Sequence, residues 1–477
     1  MNRTVGGDFY HGEHHQLTVL VAFNDRSFVG DEAATLELWD KIFNAENLTE
    51  EPFKGSIHDY FIDQSYGDFN IVFDLVYVQV SGDIKKYASS YEDDEKSQYL
   101  VQDIANILKT RDIDWDKYDW NGDGFINQLL IVYAGHGRHE FTNQELIWPH
   151  QWWMSDHLKD LQQGVHCEPI PVSSGGKDYM IDSYCALNEL GKNDKHDTFG
   201  TICHEYSHCF GFPDFYGSSF VVGSWDLMDN GNFNGQGYRP CNYSAHERML
   251  MGWLTPVELT GATTVTDMPV LADEPVAYLI RNDGADNEYY IVENRQKKGW
   301  DEDLPGSGIL VFHVDFDKDV WLNSFANTKE EKNYQIFPAN NKPHYSSLSG
   351  WAYPYVTTDM YGNVSNVNDC LTNTSKPAAT LNNWNTDGKL LMSKPITHMA
   401  VDANGLASFV FMEDPNSQTD MTVPGTQHPQ TGDAMPDGWY KLDGTHLSGQ
   451  PARKGIYVRP ASGSSQGKDN GHKVIVK

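Results

Sequence analysis

The pentapeptide His204-Glu205-Tyr206-Ser207-His208 constrains this chain more than any other stretch. Residues four apart lie on one face of a helix, so both imidazoles can reach one ion. Glu205, one position along, can reach a water on that ion. The pattern is expected of a zinc hydrolase that cleaves peptide bonds; the plainer alternative is a helix with two unrelated histidines. Gly211 can end the helix in a left-handed turn, because it has no Cβ to clash. The chain can then double back and offer Asp214 as a third, oxygen ligand. Three protein ligands and a water suit a catalytic zinc, whereas a structural zinc is closed by four. Asp197 is placed to cap the helix, and Phe199, Ile202, Cys203, Tyr206, Cys209 and Phe210 recur at inward-facing spacing.

The chain has 477 residues, enough for two or three domains. Hydrophobic residues make up 39% and aromatics 13%, which allows a sizeable core and excludes global disorder. A formal charge of -32 repels phosphate backbones and argues against nucleic-acid binding. No apolar run is long enough to span a membrane. The polar residues 1–15 carry no signal core; a secreted protein would then be expected to have lost a leader, with or without a pro-segment, and an intracellular protein would read the same way. The six cysteines, at 167, 185, 203, 209, 241 and 370, form neither close zinc pairs nor a dense disulfide framework, though one or two disulfides stay open.

Residues 16–23 and 129–134 read as buried strands, and 69–80 as one or two strands. Helical patterns cover 32–43, 56–62, 93–109 and 244–253. This alternation suggests an α/β sheet layer. From about residue 262 helical signals fade, and 277–281, 289–294, 309–314 and 406–412 read as short strands of a β-rich second unit. Residues 414–436 are polar and rich in proline, as in a linker. The tail contains strand-like pieces at 455–459 and 473–476.

Asp119-Trp120-Asn121-Gly122-Asp123-Gly124-Phe125 places oxygens at alternating positions and a glycine at the sixth. This is the first half of an EF-hand type calcium loop. Asp119, Asn121 and Asp123 would give side-chain oxygens and Phe125 its carbonyl, with a structural role for the ion. Leu130 stands where the final acidic ligand belongs. The alternative is a turn, since Asn-Gly and Asp-Gly favour turns.

Together these stretches resemble the immune inhibitor A family of secreted bacterial zinc metallopeptidases. The likeness runs from the opening strand at Leu17, through Gln64-Ser65-Tyr66-Gly67, the Asp119 loop and Ile147-Trp148-Pro149-His150, to the zinc motif and Phe212-Pro213-Asp214-Phe215-Tyr216. Gly223-Ser224-Trp225-Asp226-Leu227-Met228 is similar to its methionine turn, and Glu293-Asn294-Arg295 and Leu304-Pro305-Gly306 to its downstream β segment. The resemblance implies an α+β fold. A zincin-type catalytic unit with a mixed sheet and an active-site helix would be followed by a β-rich accessory domain and a short C-terminal β tail. It implies that Met228 forms a hydrophobic floor under the metal. For the third ligand, the short spacing after Gly211 favours Asp214, and Glu247, on the helix after the methionine turn, is the alternative. The tail is similar to the C-terminal export cassette of Bacteroidetes-type bacteria, with residues 460–470 as an insertion.

The expected division is an N-terminal extension at 1–15, a catalytic domain at 16–260, an accessory domain at 261–413, a linker at 414–436 and an export-type tail at 437–477. The expected function is a secreted or cell-surface, monomeric zinc endopeptidase acting on proteins or peptides, with Glu205 as general base and calcium as a structural ion. Tyr216 is a candidate at the oxyanion, against a packing role. His136 and His139 could line the cleft or sit in an exposed loop. The competing class is an extracellular binding or adhesion protein on an idle peptidase scaffold; the intact Glu205 speaks against it.

Overall fold

The computed structural model describes residues 4–7, 9–88, 96–141, 145–155, 168–217, 221–413, 439–441, 446–447, 455–459 and 472–476. Residues 1–414 form one compact unit and 415–477 a second. The first unit is built on a five-stranded sheet of β1 (Gly12–Ala22), β2 (Phe69–Gln79), β3 (Leu129–His136), β4 (His150–Trp153) and β7 (Ser183–Leu190), in the order β2-β1-β3-β7-β4. The first four are parallel, and β4 runs antiparallel to β7 at the edge. The hairpin β5 (Ile170–Ser174) and β6 (Lys177–Ile181) lies apart from it. Polar residues 12–15 are drawn into β1 by pairing with Phe69–Val72.

Burial on both faces explains the unbroken apolar runs. On one face, Leu20, Ala22, Leu130, Val132 and Leu187 pack with α1 (Glu32–Asn44), α2 (Ile57–Gln64) and α4 (Phe199–Ser207). On the other, Leu17, Val19, Val21, Ile131 and Tyr133 meet Leu100 and Ile104 of α3 (Ser97–Leu108). Ser56 opens α2 with a reciprocal capping box to Asp59.

The β-rich part contains a second five-stranded sheet, ordered β13-β12-β11-β10-β8, from β8 (Val257–Glu258), β10 (Tyr278–Asn282), β11 (Ala285–Arg295), β12 (Gly308–Asp315) and β13 (Tyr334–Ile336). Alternation along β11 and β12 divides it cleanly. Tyr289, Ile291, Leu310, Phe312 and Val314 join the core that contains α4. Tyr290, Val292, Ile309 and Val311 face a three-stranded sheet of β9 (Thr263–Met268), β16 (Ile396–Val401) and β17 (Ala407–Phe411). One apolar core therefore continues across position 260. Between these parts lies α5 (Ala245–Leu250), capped by Ser244 and shorter than its sequence pattern.

The second unit has a sheet of its own, in which Gly455–Arg459 pairs antiparallel with His472–Val476. The linker at 414–436 lies outside the described residues. The cysteines at 185, 203, 209, 241 and 370 are all free; Cys167 lies outside the described residues. Among the described residues no helix is long and apolar enough to cross a membrane.

Candidate active site

α4 carries His204 and Glu205, ends just before His208, and packs against β7 and the edge strand β4. Its cap is Thr198, not the expected Asp197, and Thr198 makes no side-chain capping bond. Asp197 stands one residue too early, with its carboxylate turned towards the Gly191 backbone. After Ser207 the chain tightens to a short 3-10 turn over His208–Phe210, and Gly211 takes the left-handed conformation at φ 85°. This reverses the chain and returns Asp214 to the helix.

Asp214 Oδ1 lies 3.0 Å from His204 Nε2 and 3.5 Å from His208 Nε2. Glu205 Oε2 is 3.8 Å from His208 Nε2, and His204, Glu205 and His208 each bring a ligand atom within 4.8 Å of the others. Two ligand atoms bonded to a tetrahedral zinc stand about 3.3 Å apart, given bonds of about 2.0–2.1 Å. The two nitrogen-to-oxygen separations bracket that edge, so the residues fit the ion. The opposite ring nitrogens are fixed by backbone carbonyls: His204 Nδ1 donates to Leu227 O at 2.8 Å, and His208 Nδ1 to Phe212 O at 2.7 Å. Both Nε2 atoms are thereby aimed at one point as ligands.

The electrostatics fit the same geometry. Burial opposes charge on His204, but the Asp214 hydrogen bond and the Glu205 and Asp214 charges outweigh it, raising its pKa to about 9. His208 is raised against the same burial penalty, chiefly by Asp214. Burial would raise Asp214, yet the two histidines hold it far below the usual carboxylate range. Burial raises Glu205; both histidines and a hydrogen bond from the Gln151 backbone pull the other way without cancelling it.

Glu247 is elsewhere. It is fully buried on α5, where its Oε2 accepts the Ser244 N–H at 2.7 Å in a capping box. Its charged neighbours are Asp226 and Arg295, not the histidines. Met228 is buried in the main core. Its N–H donates to Asp226 Oδ1 at 2.9 Å, and its carbonyl accepts the Phe215 N–H at 2.8 Å. Tyr216 is 54% exposed, with its hydroxyl towards Asp214. His136 Nε2 pairs with Asp194 at 3.0 Å, and burial lowers His139 to about 4, so it is neutral; neither joins the Asp214 cluster.

In the Asp119 loop, both carboxylate oxygens of Asp119 accept backbone N–H groups, from Asp123 and Gly124. Asn121 and Asp123 close further turns on Asp123 and Phe125. Leu130, at the position of the last calcium ligand, is buried in β3. The carbonyls of Leu227 and Phe212 and the Gln151 backbone were beyond sequence reading, since any residue can offer a main-chain group.

A mostly parallel sheet with one antiparallel edge lies beside two histidines and a glutamate that converge with an aspartate, and this group could hold a metal ion. Residues 17–253 match the family model of the immune inhibitor A peptidase M6, catalytic domain, and this part of the chain belongs to that family. No curated protein matches the chain.

Proposed function

We propose that the chain is a secreted zinc endopeptidase, with His204, His208 and Asp214 as zinc ligands, Glu205 as general base and Met228 as the floor of the site. The observation that carries this reading is the approach of Asp214 Oδ1 to both Nε2 atoms, at 3.0 and 3.5 Å. Bound zinc would supply a Lewis acid that activates a water and polarises the scissile carbonyl. Glu205 takes the proton of the attacking water at its carboxylate, holds it there with its raised pKa, and passes it to the leaving amine nitrogen as the C–N bond breaks. The Gln151 backbone steadies the Glu205 carboxylate from β4.

Residues 16–260 would be the catalytic domain and 261–413 an accessory domain; the shared core favours bracing over swinging. Secretion rests on the family likeness and on the export-type tail. Calcium forms no part of the proposal, because only the oxygen types of the Asp119 loop speak for it. The test is cleavage of casein by the purified chain, with chelator and after zinc is restored. Cleavage should stop and return; a chain idle even with added zinc would overturn the reading.

A further inference from the structure

The last carbonyls of a helix need partners from outside it. His208 O accepts the Gly211 N–H at 3.0 Å. The next two are answered by the N-terminal segment: Cys209 O accepts the Tyr10 hydroxyl at 3.0 Å, and Phe210 O accepts the Gly6 N–H at 2.7 Å. Packing is close on both sides of that segment. A Cβ on Gly211 would stand 2.3 Å from Thr4 O, and one on Gly6 would stand 1.9 Å from Leu250 O. Tyr10 is itself held, because Trp253 Nε1 donates to its carbonyl at 2.9 Å and its ring meets Phe210 edge-on at 4.9 Å.

We propose that the segment through Val5, Gly6 and Tyr10 is a strap that sets the metal affinity of the site, with Gly6 and Tyr10 as positioning residues. The inference rests on reading His204, His208 and Asp214 as the ligands. The strap grips residues 209–211, and the next residue, Phe212, gives the carbonyl that orients His208. Asp214 follows two positions later. A shift at Cys209–Gly211 therefore moves an imidazole's orienting partner and a carboxylate ligand together. The bonds of Gly6 and Tyr10 go to the backbone of Phe210 and Cys209, so the strap acts on ligand geometry and not on proton transfer.

The experiment measures zinc dissociation by competition with a chromogenic chelator, alongside kcat and KM on a peptide at limiting and saturating zinc. Tyr10→Phe keeps the ring and removes only the hydroxyl. It should weaken zinc binding by about three- to tenfold, the worth of one neutral hydrogen bond, while saturating zinc restores kcat. Trp253→Phe, which frees the Tyr10 carbonyl, should weaken zinc binding in the same way. Tyr66→Phe is the control, since its hydroxyl meets a carbonyl remote from the site, Leu271 O; it should leave zinc binding unchanged. Unchanged zinc binding in both Tyr10→Phe and Trp253→Phe, or equal weakening in Tyr66→Phe, overturns the strap. His204→Ala separates the two readings. If it still binds zinc like the parent chain, the ligand assignment fails and takes the strap with it. If it loses zinc while neither Tyr10→Phe nor Trp253→Phe does, only the strap fails.

Discussion

The carbonyl of Leu227 accepts the Nδ1–H of His204 at 2.8 Å, and the next carbonyl, of Met228, accepts the N–H of Phe215. One turn thus grips both the helix that bears the histidines and the strand of chain that bears Asp214. The turn is held from behind by Asp226, whose Oδ1 accepts the Met228 N–H and whose Oδ2 lies 2.9 Å from the Tyr334 hydroxyl of β13. The turn through Leu227 and Met228 is therefore a backbone clamp seated on the β-rich part.

Among the described residues, Glu205 is the acid next to both histidines that is not bonded to one of them at hydrogen-bond distance. Glu205→Gln should keep its zinc and lower kcat by about 10²- to 10⁴-fold, the usual worth of a positioned general base. Zinc content by atomic absorption and peptide cleavage, measured on one preparation, check this. Full cleavage by the variant would remove Glu205 from the mechanism.

Asp214 and Glu247 make opposite forecasts. Asp214→Ala should lose zinc at concentrations that saturate the parent chain, because a third of the protein ligand set goes. Glu247→Gln should keep zinc and lose stability, since the capping box on α5 is weakened and its buried partners are left imperfectly paired. Equilibrium dialysis separates the outcomes; zinc loss in Glu247→Gln alone would reverse the ligand assignment.

Much of this site was legible in sequence because it is local. His204, Glu205, His208, Gly211 and Asp214 span one helix and one turn, so spacing alone brings them together. The strand β7 lies inside the sheet but carries little strand signal, because Ser-Tyr-Cys-Ala-Leu-Asn-Glu-Leu has no β-branched residue and places polar Asn188 and Glu189 before its last leucine. The edge strand β4 was hidden likewise: it is four residues long and carries His, Gln and two Trp. The helix cap slipped by one residue because Asp197 finds the Gly191 backbone instead. The shared core beneath β11 and β12 was out of reach, since alternation shows two buried faces but not what covers each.

Zinc binding should depend on pH through His204. Its pKa of about 9 exceeds the ordinary histidine value of 6.5, so the metal-free site holds a proton at neutral pH that zinc must displace. The apparent zinc dissociation constant should fall about tenfold per pH unit from 7 towards 9 for each proton displaced. In the metal-free chain the sign is opposite for stability: the Asp214 contact stabilises fully below 6.5 and is lost as pH rises through about 9. Chelator competition and thermal melts at several pH values read the two effects separately.

Arg295 is fully buried and forked onto Asp301 at 2.7 Å through both Nε and Nη2, with Nη1 3.1 Å from Glu293. Glu293 in turn accepts the first N–H of α5, from Ala245, at 2.7 Å. Arg295→Met would leave two buried carboxylates without their cation and should cost about 3–5 kcal/mol. Urea unfolding of residues 1–414 within the full chain measures it. A loss near zero would show that those acids are readily protonated without their partner.

Asp226 ties the clamp to pH. Burial pushes it up to about 7, with Asp229 adding repulsion and the Met228 N–H, Tyr334 and Arg295 opposing. Since its folded pKa exceeds the ordinary 3.8, the protonated form is the one favoured in the fold. The stability this contributes is complete below about 3.8 and is lost as pH rises through 7. Asp226→Asn keeps an oxygen for the Met228 N–H and cannot ionise. Its melting temperature should therefore fall less steeply than that of the parent chain between those two pH values. Parallel melting curves over that window would show instead that Asp226 stays ionised, with Arg295 and the backbone N–H groups sufficient to hold its charge in the core.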